Sequence, residues 1–231
     1  ISGTGTAGDT VTLYDDGTAV GTALVQPDGT YSVTPTAAVG DGDSDFTVTI
    51  TAPNGNESAA SPALTVAIDT TAPTDPAAAP DLDDASDTGI SNTDDITNDT
   101  TPTVSGTGGT SGDTVTLYAD GTPVGTGTVA ADGSYSVTPD SPLTDGTPNL
   151  TVAFTDPSGN ESAPSPALPI TLDSSAPGTP IIDGPIEGDD IITIDEAADV
   201  LVSGTAEANA VINVTLTDSS GGTVTQQVTA D

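Results

Sequence analysis

The sequence predicts an all-β protein built of tandem β-sandwich domains, and two observations carry this prediction. Apolar residues alternate with hydroxyl residues, as Val115 and Leu117 do with Thr114 and Thr116. A period of two places alternate side chains on opposite faces, which is typical of strands that are buried on one side. Turn signals such as Asp120-Gly121 separate these runs. No stretch shows the 3.6-residue period of an amphipathic helix.

Internal repetition predicts the number of domains. DTVTLYDDGTAVGT at 9–22 recurs as DTVTLYADGTPVGT at 113–126, and NESAASPAL at 56–64 recurs as NESAPSPAL at 160–168, both at an offset of 104 residues. A third copy diverges, keeping mainly the step Ser203 to Thr205. We therefore predict a first domain over 1–71 without its opening segment, a complete domain over 72–175, and a domain of a second subtype over 176–231 without its later strands.

Each domain is expected to be an immunoglobulin-like sandwich with a small core. Some seven short strands in about 100 residues, separated by regular turns, are typical of that fold. The chain has two Phe, four Tyr and no Trp or Met. Aliphatic residues must therefore fill the interior, and we expect Tyr118 and Tyr135 to pack in the domain rather than to stack on a ligand. A core of this size suggests that something else helps to stabilise the fold.

The charge of the chain excludes several classes of partner. There are 30 Asp and five Glu, no Lys, Arg or His, and the net charge is −35. Binding to nucleic acid or directly to an anionic membrane surface needs basic residues, so we expect neither. Cys is absent, so no disulfide stabilises the domains. The sequence begins and ends inside repeat patterns, and we interpret it as part of a longer protein.

The composition also argues against an enzyme. Without His, Cys or Lys, the common activated-nucleophile arrangements and the His- or Cys-ligated zinc sites cannot form. Paired carboxylates could in principle hydrolyse glycosides, but the acids here lie at turns and a sandwich with a thin core offers no obvious pocket. We predict no catalytic activity.

Several blocks in a fixed order resemble a known family. They are DTTAP, SDTGISNTDDITNDTTPTVSGT, DTVTLYADG, DGSYSVTP and DPSGNESAPSPALPITLD, closed by DSSAP. This order is similar to the bacterial Ig-like repeats in the extender regions of giant RTX-type and biofilm-associated surface adhesins. The resemblance implies an extracellular position at the bacterial cell surface, a spacer role in adhesion and biofilm formation, neighbouring repeats as partners, and Ca²⁺ that stiffens the junctions between domains.

Oxygen-rich segments supply the ligands that Ca²⁺ prefers. Pro73 and Pro177 stiffen the two linkers that follow Asp69 and Asp173. The candidate ligands are Asp69, Asp87, Asp94, Asp95 and Asp99 at the first junction, Asp156, Asn160 and Glu161 in the loop of the second copy, and Asp173, Asp183, Glu187, Asp189, Asp190 and Asp195 at the second junction. Ala52 replaces Asp156 in the first copy, so that position is not a general ligand. Acids directly before Gly, namely Asp16, Asp28, Asp120 and Asp132, are instead expected to form hairpin turns.

Two other functions remain open at this point. The chain could be a self-assembling extracellular filament or surface-layer subunit, in which strand edges pair between molecules. It could also be an adhesin module that binds a sugar, a protein or ice. A binding module should interrupt the repeat pattern with a unique loop, and the first two copies do not do so.

Overall fold

The computed structural model describes residues 1–184, 186, 200–217 and 220–231. These residues form strands, turns and loops without an α-helix, which confirms the all-β prediction. They make two compact units, Ile1–Asp173 and Ser174–Asp231. None of the described segments is a helix with the length and apolar character needed to cross a bilayer.

The first copy forms two sheets. Its strands are β1 (Ser2–Thr4), β2 (Thr10–Asp15), β3 (Thr18–Leu24), β4 (Thr30–Ser32), β5 (Gly42–Thr51) and β6 (Leu64–Ile68). One sheet has the order β3-β2-β5-β6 and the other contains β1 and β4, with all neighbours antiparallel. Because the two copies share their strand sequences, the second copy repeats this arrangement.

The second copy is described together with an opening segment that precedes the strands it shares with the first copy. Its strands are β7 (Asp81–Leu82), β8 (Ile96–Thr97), β9 (Val104–Thr107), β10 (Thr114–Ala119), β11 (Thr122–Thr128), β12 (Ser134–Val137), β13 (Asn149–Thr155), β14 (Leu168–Pro169) and β15 (Thr171–Leu172). The sheets have the orders β11-β10-β13-β14 and β12-β9-β7. Strand β8 pairs in parallel with β15, so the opening segment reaches the last strand of its own domain.

A separate apolar core lies in each copy. Val115 and Leu117 are fully buried between the sheets, whereas Thr114 on the same strand is exposed. Tyr135 is buried and meets Phe154 edge to face, with ring centroids 5.6 Å apart. The expectation that this tyrosine packs in the core is thus confirmed. The domain boundaries at 71 and 175 stay predictions.

Close packing and turn chemistry explain two glycine positions. A Cβ on Gly106 would lie 2.3 Å from the hydroxyl oxygen of Tyr135, so only Gly lets this ring cross β9. Asp120 and Gly121 both have positive φ, 48° and 77°, and join β10 to β11. Two consecutive positive φ angles are the signature of a tight type I′ hairpin, which confirms the turn role expected for Asp120.

The last unit is described only in part. Its strands are β16 (Ile181–Ile182), β17 (Gly204–Thr205), β18 (Val211–Thr217) and β19 (Thr223–Thr229). Strands β18 and β19 form an antiparallel hairpin. The predicted ligands Glu187, Asp189, Asp190 and Asp195 lie outside the described residues.

Candidate functional site

The chain between β6 and β7 contacts a loop of the second domain. We call this contact, made by residues 69–75 with residues 156–163, the first joint. Ser158 Oγ donates to Asp69 Oδ2 at 2.9 Å, and Asn160 Nδ2 donates to the Asp69 carbonyl oxygen at 3.1 Å. The backbone N–H of Ala163 donates to Asp75 Oδ1 at 2.9 Å. Three hydrogen bonds therefore fix the linker to the domain that follows it.

Asp156 organises the loop that makes this contact. Its Oδ1 accepts the backbone N–H groups of Ser158 and Asn160, both at 2.9 Å. Its Oδ2 accepts Asn160 Nδ2 at 2.9 Å, and this side-chain bond is the main reason why the pKa of Asp156 lies below its usual range. The ionised carboxylate thereby holds both Ser158 and Asn160 in place for their contacts with Asp69.

Asp41 fixes the other side of the first joint. Its Oδ1 accepts the backbone N–H of Thr70 at 3.0 Å and Thr70 Oγ1 at 2.7 Å, while its Oδ2 accepts Thr71 Oγ1 at 2.7 Å. The hydroxyls of Thr71 and Thr70 are the main causes that lower the pKa of Asp41. The linker is thus bonded on one side to the first domain and on the other side to the second.

Sequence reasoning missed Asp41, Asp75 and Ser158 as joint residues. Asp41 has a counterpart in Asp145 at the repeat offset of 104 residues, and this repetition was an available signal. Asp75 has no such signal, because Thr179 stands at the matching position of the second linker.

The second acidic region is the opening loop, which we define as residues 83–99. Asp87 is only 5% exposed, and its Oδ2 accepts the backbone N–H groups of Asp94 and Asp95 at 3.2 and 3.3 Å. Its Oδ1 is also buried and has no hydrogen-bond partner among the described residues. A buried carboxylate oxygen without a partner carries a substantial free-energy penalty.

Other carboxylates lie around Asp87. Burial raises the pKa of Asp95, and the negative charges of Asp87, Asp81 and Asp94 raise it further. Asp95 also has a positive φ of 58°, and Asp94 Oδ1 accepts the backbone N–H of Ile96 at 3.3 Å. The fold therefore places several carboxylates close together here, and the chain has no basic residue to offset their repulsion.

Asp99 closes the opening loop. Its Oδ2 accepts Ser86 Oγ at 3.0 Å and its Oδ1 accepts the backbone N–H of Thr101 at 2.9 Å. Both of its oxygens are therefore already used within the domain.

The opening loop does not lie at the first joint, where the sequence grouping placed Asp87, Asp94, Asp95 and Asp99 together with Asp69. The backbone N–H of Thr171 donates to the Asp95 carbonyl oxygen, and that of Asp173 donates to the Thr97 carbonyl oxygen. The loop thus runs beside the end of the domain, near Gly146, which bridges Leu172. The loop of the first joint begins at Asp156, directly after β13. This strand has seven residues and is about 20 Å long, and the opening loop lies near its other end.

The other predicted ligands have separate surroundings. Glu161 accepts a hydrogen bond from the hydroxyl of Tyr118, which connects it to β10. Asp183 donates its backbone N–H to the Ser203 carbonyl oxygen within the last unit. No set of three or more acidic residues that could hold a metal ion is found within the described ranges. A cation would therefore need amide, carbonyl or water oxygens beside one or two carboxylates.

Two family models of bacterial Ig-like domains agree with this architecture. The sequence model of a bacterial Ig-like domain matches residues 74–174, and that of a bacterial Ig domain matches residues 1–67. A solved structure titled "Biofilm associated protein - BSP domain" is 28% identical, with a TM-score of 0.28. That match covers 76% of this chain and 28% of the solved chain, so this chain spans little more than a quarter of its length. No curated protein matches the chain.

Proposed function

Since residues 1–67 and 74–174 are bacterial Ig-like domains, we propose that the chain is a structural spacer of a bacterial cell-surface adhesin. The first joint carries this proposal. Its linker is hydrogen-bonded to both neighbouring domains, through Asp41 on one side and through Ser158, Asn160 and Ala163 on the other. A joint of this kind holds two domains at a set orientation, which is what a spacer requires.

The donors and acceptors of the joint suit a protein without basic residues. Every acceptor is a carboxylate or carbonyl oxygen, and every donor is a hydroxyl, an amide or a backbone N–H. None of these bonds is an ion pair. Hydrogen bonds to a charged acceptor are stronger than neutral ones, so Asp residues can fix the linker without Lys or Arg.

Calcium is the second part of the proposal. At the first joint Asn160 Nδ2 donates to both the Asp69 carbonyl oxygen and Asp156 Oδ2, and the Asp69 carboxylate accepts from Ser158, so two carboxylates, a carbonyl and the amide oxygen of Asn160 belong to one contact. In the opening loop the unpartnered Oδ1 of Asp87 lies among carboxylates that lack counter-charges. Both donor sets consist of oxygen only and fit a hard divalent cation better than a soft one. Bound Ca²⁺ would offset the repulsion and stabilise the folded domains by mass action.

Distances between spin labels on the two domains test the joint. The chain has no Cys, so Thr22→Cys and Thr126→Cys place one label at equivalent exposed positions of each domain. We expect a narrow distance distribution in Ca²⁺. Asp156→Ala should broaden it because Ser158 and Asn160 lose their support, while the fold survives, as Ala52 at the same position of the first copy indicates.

Asp140→Ala is the matched control. It removes the same charge from an exposed position of the same domain, and none of the described joint contacts involves that side chain. Equal distributions for Asp156→Ala and the unsubstituted chain would contradict the hydrogen-bonded joint. Excess chelator at constant ionic strength tests calcium separately. An unchanged distribution and an unchanged melting temperature would contradict the calcium part alone.

A further inference from the structure

The loops that follow β5 and β13 have the same backbone turn. In each, the backbone N–H of the first residue donates to the carbonyl oxygen of the fifth, at 2.9 Å in residues 52–56 and at 3.1 Å in residues 156–160. The fourth residue of each is a glycine with a positive φ, 86° in the first copy and 94° in the second. We call these segments the first-copy loop and the second-copy loop. Since their backbones agree, they differ in what their side chains do.

An aspartate side chain caps the second-copy loop. Asp156 Oδ1 accepts the backbone N–H groups of Ser158 and Asn160, both at 2.9 Å. Because Asp156 provides this cap, the side chain of Ser158 is not needed within the loop. Its hydroxyl donates instead to Asp69 Oδ2 at 2.9 Å. The second-copy loop therefore presents a hydroxyl donor to the linker.

An asparagine side chain caps the first-copy loop. Ala52 has no side-chain acceptor, and Asn54 Oδ1 accepts the backbone N–H of Asn56 at 3.1 Å. A side-chain oxygen that accepts from the backbone two residues later is a common turn device of Asn and Asp. At the repeat offset of 104 residues, Asn54 corresponds to Ser158. The side chain that contacts the linker in the second copy is thus used within the loop in the first copy.

Two of the three hydrogen bonds that join the linker to the second domain depend on Asp156 and Ser158. Ser158 makes one of them directly. Asn160 makes another, and its Nδ2 is held by Asp156 Oδ2 at 2.9 Å. The third bond comes from the backbone N–H of Ala163, which is independent of both side chains. The bond from Ser158 has a charged acceptor and should be the stronger of the first two.

We propose that the pair of residues at positions 156 and 158 determines which linker a repeat can bind. With Asp and Ser, the loop binds a linker whose carboxylate lies beside the hydroxyl, as that of Asp69 does. With Ala and Asn, as at 52 and 54, the loop caps itself and lacks this donor. The proposal rests on the proposed function, because it concerns the choice of partner at the first joint. Repeats of the two kinds would then not be interchangeable in an array.

The test gives the second-copy loop the residues of the first-copy loop, in the domain where the linker is present. Asp156→Ala/Ser158→Asn is compared with the unsubstituted chain in Ca²⁺, with spin labels at Thr22→Cys and Thr126→Cys. We expect the double variant to lose the narrow distance distribution, because the donor to Asp69 is lost. Asp140→Ala again controls for the loss of one charge.

Amide hydrogen exchange at Asn160, measured by NMR, reports on the cap itself. In the double variant this N–H should stay protected, because the introduced asparagine takes over the cap as Asn54 does in the first copy. In Asp156→Ala alone it should exchange faster, because no side chain accepts it. The double variant therefore combines an ordered loop with a released linker, which a general loss of structure would not produce.

Ser158→Asn alone separates the cap from the size of the new side chain. It introduces the same asparagine as the double variant but keeps Asp156. Since Asp156 still caps the loop, the introduced amide can donate to Asp69. We therefore expect a distance distribution narrower than that of the double variant.

Each measurement can overturn the proposal. A narrow distribution for the double variant would show that Ala and Asn support the joint as well as Asp and Ser do. An equally broad distribution for Ser158→Asn alone would assign the effect to side-chain size. Fast exchange at Asn160 in the double variant would show that the cap is not taken over. A broad distribution for the unsubstituted chain would instead contradict the first joint itself, and this proposal with it.

Discussion

At the scale of single residues, aspartates of this chain have three distinct environments. Asp120 adopts the positive φ of a hairpin turn. Asp41 is exposed and Asp156 is half-buried, and the pKa values of both are lowered by the hydroxyl and amide groups that donate to them. Asp87 is buried with one unpartnered oxygen. The same residue type therefore serves as a turn former, a loop organiser and a candidate cation ligand.

Asp95→Asn should stabilise the second domain near neutral pH in the absence of divalent cations. The pKa of Asp95 is raised by burial and by neighbouring carboxylates, so its charged form opposes folding. A raised pKa means that the favourable protonated state is present at low pH and is lost as the pH rises through the folded-state pKa. Asn is permanently neutral and tolerates the positive φ at this position.

Thermal unfolding at several pH values measures this effect. The gain from Asp95→Asn should be greatest well above the raised pKa and should vanish below the ordinary Asp value of about 4. Asp140→Asn removes a charge outside this cluster and serves as the control. An equal gain from both variants would show that general repulsion, rather than the surroundings of Asp95, is responsible.

At the scale of elements, a tyrosine ring on one strand crosses a glycine on the strand paired with it. Tyr135 on β12 lies over Gly106 on β9, and Tyr31 on β4 lies over Gly3 on β1. This arrangement recurs in both domains, so it belongs to the fold rather than to one copy. Each ring covers part of the small core, because it extends across a strand that has no side chain at that position.

Gly106→Ala should destabilise the second domain by about 1–3 kcal/mol, the range for overpacking in a core. The added Cβ would meet the hydroxyl oxygen and ring of Tyr135, and β9 or the ring would have to move. Denaturant unfolding measures the loss. Gly40→Ala is the control, because nothing lies within 4 Å of a Cβ built there and its φ is not in the left-handed region. A loss of equal size in both variants would contradict the packing explanation.

At the scale of the whole molecule, 35 acidic side chains have no basic side chain to pair with. Repulsion among them opposes the compact state, and dissolved ions weaken it. The stability of the folded state should therefore depend on ionic strength more strongly than in a protein of balanced charge.

The melting temperature should accordingly rise as NaCl is increased, and CaCl₂ should raise it further at matched ionic strength. Differential scanning calorimetry measures both effects. Choline chloride in place of NaCl separates screening from binding of Na⁺. A melting temperature that does not change with salt would mean that the carboxylates repel each other too weakly to matter.

The strands were predictable from sequence, but the location of the candidate sites was not. Val115 and Leu117 alternate with Thr114 and Thr116, and this local pattern is sufficient to place a strand and its buried face. Asp69 contacts Ser158 and Asn160 because their loop follows β13, which ends on the side of the domain that faces the linker. The end of the domain at which a loop lies depends on the order of the strands in the sheets, and this order cannot be read from the residues next to the loop in sequence.

The burial of Asp87 was unpredictable for a related reason. Its segment contains seven acids among residues 81–99 and looks fully solvated in sequence. The parallel pairing of β8 with β15 folds this segment onto the domain and encloses one of the carboxylates. Only the long-range pairing distinguishes Asp87 from the less buried acids of the same segment.

The first joint has a consequence for how such a chain can lengthen over generations. Its partners are a linker that begins at Asp69 and a loop about 90 residues later in the following repeat. The near-identical stretches 9–22 and 113–126 would let recombination between genes insert or remove one whole repeat without interrupting a strand pair. Each inserted repeat that contains the loop of the second copy would also contain the residues that bond to the preceding linker. The length of the protein could therefore change by one domain at a time without a new interface.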